Sequence, residues 1–195
     1  MILDYIFRRK KVKANNSDDF IFFHEDDYCQ VEIVTASNRD LYLKEIEQIQ
    51  EFADEHSDGI GYTDMYIRQD NQCPTADMKI SFQNIDKNIS CYLHKFNSVK
   101  TGYSSYACEC ESTVGYGFKE LSIFLEYENE IVKNIWITGF ARNQNHLETF
   151  TNVLEYLGKL DLTLVDWNVG IVVNLNDKEE IEKYLSYGIN DSNNY

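Results

Sequence analysis

Proline is almost absent from this 195-residue chain: Pro74 stands alone, beside nine glycines. That scarcity excludes a Pro/Gly-rich linker and a collagen-like class. No apolar run approaches the roughly 18 residues that a membrane-spanning helix needs. Positive charge is short as well, with 18 Lys and Arg against 33 Asp and Glu and a net charge of −15. Phosphate binding requires cationic neutralisation, so nucleic acid and anionic membranes are poor partners for such a body. A secretory leader is also missing from the pattern. Met1 to Phe7 is too short for an apolar leader core, and its positive charges follow instead of preceding it. Five cysteines (Cys29, Cys73, Cys91, Cys108, Cys110) are then expected as reduced thiols in a cytoplasmic protein.

Catalytic signatures are lacking too. There is no GxxxxGK followed by Ser or Thr, no GxGxxG after a strand, no GxSxG and no HExxH. Gly115 and Gly117 are too little for a phosphate loop. The expectation is a chain with no catalytic residue and no cofactor.

What is present is apolar and acidic. Hydrophobic residues make up 43%, enough for a core, and fourteen Tyr with eleven Phe make it aromatic. Residues 1–13 hold five cations (Arg8, Arg9, Lys10, Lys11, Lys13) and one acid, so the rest of the chain is more acidic than the total implies. The basic run reads either as a patch for anionic ligands or as a solvated tail or strap across the acidic body. An acidic body attracts a basic protein and speeds its encounter; the plainer reading is that the charge maintains solubility.

The pattern predicts an α+β fold, mainly antiparallel sheet with two or three amphipathic helices, in a single domain over 1–195. Ile2 to Phe7 fits a short strand or one helical turn. Phe20 to Phe23 and Tyr28 to Val34 read as a hairpin around the acidic turn Glu25-Asp26-Asp27, with Cys29, Val31 and Ile33 on one face. A helix follows over 39–56, with Ser37 or Asn38 as its cap and Gly59 as its stop. Strands are expected at 60–68, at 77–82 and 89–96 around a turn at 84–88, and over Tyr103 to Cys110. A second hairpin is expected at 119–127 and 131–138, then a helix at 143–157, strands at 160–166 and 169–175, and a helix at 178–187. At a shift of 103 residues Glu25 falls on Glu128, Thr35 on Thr138 and Arg39 on Arg142. The halves 20–58 and 119–158 are thus either a duplicated ββα unit or a chance recurrence of that order.

Cys91, His94, Cys108 and Cys110 have donor types suited to zinc, and with them a small metal-dependent Cys/His hydrolase is one reading. The other is that these are small buried hydrophobes. His24 beside three carboxylates is either a metal or base site or a solvated turn. The candidate partner-binding residues are Glu25, Asp26, Asp27, Tyr28, Asp54, Asp58, Tyr62 and Asp64. There acids that pair with Arg and Lys alternate with aromatic anchors.

The segment Phe22-Phe23-His24-Glu25-Asp26-Asp27-Tyr28-Cys29-Gln30-Val31-Glu32, with Leu164-Val165-Asp166-Trp167 before a terminal helix, resembles bacterial immunity proteins of contact-dependent growth inhibition and other polymorphic toxin systems. The resemblance implies stoichiometric binding of a cognate toxin domain, often a basic nuclease, and no catalytic residue. A non-catalytic adaptor domain is the remaining alternative.

Overall fold

The computed structural model describes residues 19–68, 75–103 and 106–191. The segment Ile2 to Phe7 and the basic run lie outside the described residues. Among the described residues, nine strands and four α-helices form an α+β fold: β1 Phe20–His24, β2 Val31–Thr35, α1 Arg39–Glu55, α2 Phe82–Ile89, β3 Ser98–Tyr103, β4 Tyr106–Glu109, β5 Thr113–Gly117, β6 Leu121–Glu128, β7 Ile131–Gly139, α3 Gln144–Gly158, β8 Leu162–Asp166, β9 Ile171–Val173 and α4 Lys178–Asp191. They make two sheets, one of three strands in the order β1-β3-β4 and one of six in the order β5-β6-β7-β2-β8-β9. Every pairing is antiparallel except β1 with β3.

The six-stranded sheet is the middle layer. One face carries Ile33, Leu121, Ile123, Leu125, Ile135, Ile137, Leu162 and Leu164 and is covered by α2, α3 and α4. Helix α3 buries Leu147, Phe150, Val153, Leu154 and Leu157 there. Each such side chain stabilises the fold by about 1.5–3 kcal/mol before conformational entropy is deducted. Asn143 caps α3 by accepting the His146 N–H at 3.0 Å.

The opposite face is shared. At one end the small sheet packs Ile21, Phe23 and Val99 on Phe124 and Trp136. At the other, Tyr42, Ile46 and Ile49 of α1 pack on Val34, Val165, Val172 and Trp167. Burial on both faces explains why β8 is buried at every position and shows no alternation.

The first expected hairpin does not form. β1 pairs in parallel with β3, Phe22 opposite Lys100, while β2 lies between β7 and β8. Glu25–Asp27 is a 3-10 turn capped by the His24 side chain, and Cys29 adopts a left-handed φ of +54°. There the chain leaves one sheet and enters the other. Cys29 consequently joins the second core and Ile33 the first, instead of sharing one face. The second expected hairpin does form. β6 and β7 meet at Asn129-Glu130, both at positive φ, the backbone of a tight two-residue turn. A repeated hairpin–helix unit therefore has only its second copy.

Other expectations shift as well. Helix α1 is present, but it ends at Glu55, Asn38 makes no side-chain cap bond, and Gly59 belongs to the following turn. The strand expected at 77–82 gives way to a 3-10 turn at Thr75–Met78 and the start of α2, the turn expected at 84–88 lies inside α2, and 90–96 is turn with a single bridge from Lys95 to Tyr116. Phe82, Ile85 and Ile89 then fall on one helical face and are all buried, which extended backbone would not allow. Tyr103 to Cys110 divides between the end of β3 and β4. Residues 60–68 form no strand beyond the single bridge Ser57–Tyr62. No helix among the described residues is long and apolar enough to cross a membrane.

Candidate protein-binding groove

Residues 56–68 leave α1 and form a strap beside it. Its first turn is tight. Asp58 Oδ1 accepts the N–H of Ile60 at 2.9 Å and of Gly61 at 2.8 Å, and Gly59 supplies a φ of +83°. Those two backbone donors hold the Asp58 carboxyl below its usual range, so it stays ionised at neutral pH. The Thr63 N–H returns to the His56 carbonyl at 2.8 Å, and the Tyr66 ring meets Phe52 edge-on at 5.5 Å.

Between the strap, α1 and the turn after β8 lies a groove of about 640 Å³. Ile46, Ile49 and Phe52 form one wall, Tyr62, Asp64, Met65 and Tyr66 the second, and Trp167 to Gly170 the third. The strap exposes its apolar side chains: Ile60 is 99% exposed, Ile67 79%, Met65 76% and Tyr62 72%. Val169, on the third wall, is exposed as well. A run of large apolar groups this open, edged by carboxylates, is characteristic of a protein contact surface.

Two of the eight residues expected to bind a partner line this groove, and two more lie near it in the chain. Tyr62 and Asp64 line the groove, Asp54 lies one turn along α1 from Gln50, and Asp58 sits at the strap's first turn. The other four lie on the turn between β1 and β2. Asp26 and Asp27 are exposed, and Asp26 accepts a hydrogen bond from the Tyr103 hydroxyl at 3.0 Å. Tyr28 is turned inward. Its ring packs on Trp136 at 4.9 Å and its hydroxyl donates to Glu126.

The Cys/His group does not converge. Cys91 lies exposed past α2, its Sγ on the Lys87 carbonyl, while His94 Nε2 is 2.7 Å from Asp19. Cys110 is buried, and burial pushes its thiol up to about 12, with Cys108 and acids adding to the effect. No three His, Cys, Asp or Glu side chains among the described residues are grouped as a metal site requires.

The apolar alternation of 60–68 and 169–175 predicts strands, and so does not mark Ile60, Met65, Ile67 and Val169 as surface. Nor does the sequence pattern mark the polar group behind the groove. Glu32 Oε2 accepts from Trp167 Nε1 at 2.8 Å and from Arg68 Nη1 at 3.1 Å. Glu45 on α1 is buried close by; desolvation pushes its carboxyl up, Arg68 pulls it down and Glu32 adds to the rise. Apolar anchors edged by carboxylates suit recognition of a protein surface. The chain matches no protein-family model, and no curated protein or solved structure matches it either.

Proposed function

We propose that this chain is a binding protein of the immunity class, which acts in the cytoplasm and neutralises a basic toxin domain by forming a stoichiometric complex. The observation that carries the reading is the strap: Ile60, Tyr62, Met65 and Ile67 stand open to solvent beside Asp54, Asp58 and Asp64. Leaving that much apolar surface in water is unfavourable, by about 25 cal/mol for each Å², unless a partner covers it. The carboxylates and the net charge of −15 select a cationic partner and raise its rate of encounter. The acidic turn Glu25–Asp27 adds to that field from the junction of the two sheets.

The test uses the protein encoded beside this chain's gene, where a large secreted-toxin gene is expected. Asp54→Lys and Asp64→Lys should each weaken its binding by about tenfold and slow association, and Met65→Asp should speed dissociation. Affinity unchanged in all three would remove the groove from the interface. Loss confined to reversal of Glu25, Asp26 and Asp27 would move the contact to the 3-10 turn.

A further inference from the structure

Arg68 ends the described part of the strap in a pocket that the strap does not build. Its Nη1 donates to Glu32 Oε2 at 3.1 Å and its Nη2 to the Cys29 carbonyl at 3.1 Å. Its guanidinium carbon lies 4.2 Å from the centre of the Trp167 ring. Trp167 Nε1 is itself bonded to Glu32 at 2.8 Å, which fixes the indole as a platform. Cys29 comes from the turn before β2, Glu32 from β2 and Trp167 from the turn after β8. The charge, the planar fork and the π-face of a guanidinium each meet a matching group, and all three walls belong to the body. The ammonium of a lysine has neither the fork nor the plane.

Among the described residues the strap's other contacts with the body are at the C-terminal end of α1, where the His56 ring stacks on Phe52 at 3.9 Å and the Tyr66 ring meets Phe52 edge-on at 5.5 Å. Arg68 is the ion pair that fastens its far end among the described residues. The pocket also adjoins the groove, because Trp167 lines both.

We propose that Glu32, Trp167 and the Cys29 carbonyl form a guanidinium-binding site. The chain's own Arg68 fills it in the free protein and fastens the strap, and an arginine of the basic partner takes its place on binding. Only the exchange rests on the groove being the partner site; the pocket and its fastening role do not.

Arg68→Ala empties the pocket in the full chain. Amide hydrogen exchange over 60–67 should then rise by about tenfold or more, with the amides of β6 and β7 unchanged. Methylguanidinium should bind the variant saturably, shift the Trp167 indole N–H resonance and slow that exchange again. Methylammonium at equal ionic strength should do neither, and wild type should bind neither cation. Unchanged strap exchange, or an equal response to both cations, overturns the site. Arg68→Gln repeats the measurement if the alanine variant fails to fold. For the exchange, Arg68→Ala should gain about tenfold in affinity for hexaarginine and little for hexalysine. An equal gain for both peptides overturns displacement by arginine while leaving the groove reading intact. Failure of either form to bind either peptide counts against the groove and, with it, the exchange.

Discussion

The Tyr28 hydroxyl donates to Glu126 Oε2 at 2.7 Å across 98 residues of sequence. Asn134 Nδ2 donates to both, at 2.9 Å to the phenol oxygen and 2.6 Å to the carboxylate. The turn between β1 and β2 is thereby tied to β6 and β7. The acceptor is a part-buried carboxyl oxygen, so Tyr28→Phe should cost about 1–3 kcal/mol. A lower urea midpoint at unchanged slope would show it. An unchanged midpoint would mean that water replaces the phenol without loss.

Stability should fall in alkali. Burial pushes the phenols of Tyr28, Tyr116 and Tyr184 upward, with Glu126, Asp86 and Asp166 respectively adding to the effect. In the unfolded chain each ionises near about pH 10. Above that pH the unfolded state holds fewer protons than the folded one, so folding free energy is lost as pH rises. Below it these groups contribute no slope. Urea titrations between about pH 9 and 11, read with phenolate absorbance, should show these rings ionising only on unfolding. Full ionisation in the native protein would contradict their burial.

Gly115→Ala should loosen the joint between the sheets. A Cβ there would stand 2.6 Å from Ile21 Cγ2 and 3.2 Å from Phe124 Cε1 and Val99 Cγ2. Overpacking of this kind costs about 1–3 kcal/mol. Gly61→Ala, where nothing lies within 4 Å, is the control and should shift the thermal midpoint little.

Thiol reactivity should rank by burial. Cys91 is exposed, Cys108 intermediate, and Cys29 and Cys110 are buried. Desolvation holds both buried thiols protonated, Cys29 well above the usual range and Cys110 at about 12. The thiolate is the reactive form. Maleimide labelling at neutral pH, mapped by peptide, should mark Cys91 first among these four and Cys29 and Cys110 only in denaturant. Equal rates would show that the second core opens in the native state.

Local pattern was sufficient where an element's burial follows from its own spacing. α1, α3 and α4 each carry an apolar stripe at helical period, and β6–β7 carries paired strands with a short polar turn. Two cases show where local pattern misleads. Asn84, Asp86 and Asn88 look like turn residues, yet they lie within α2, whose buried side is Phe82, Ile85 and Ile89. The alternation over 60–67 looks like a strand, yet no neighbouring strand among the described residues supplies hydrogen bonds, and its apolar side chains remain exposed. Of the expected partner residues, Tyr62 and Asp64 line the groove. Trp167 joins them only because the β8 turn is brought against α1.

From the amino-acid sequence alone come the acidic balance, the α+β class, the lack of catalytic motifs and most of the helices, since composition and short-range period depend on no partner. Tertiary structure decided which strands pair. β1 and β2 are neighbours in sequence and strangers in space, because Cys29 turns the chain and the free backbone groups of β3 and of β7 and β8 lie in different sheets. It also decided that Arg68 meets Glu32, 36 residues away, and Trp167 beyond it. Such contacts arise from the packing of three layers, a non-local property that no window of sequence contains.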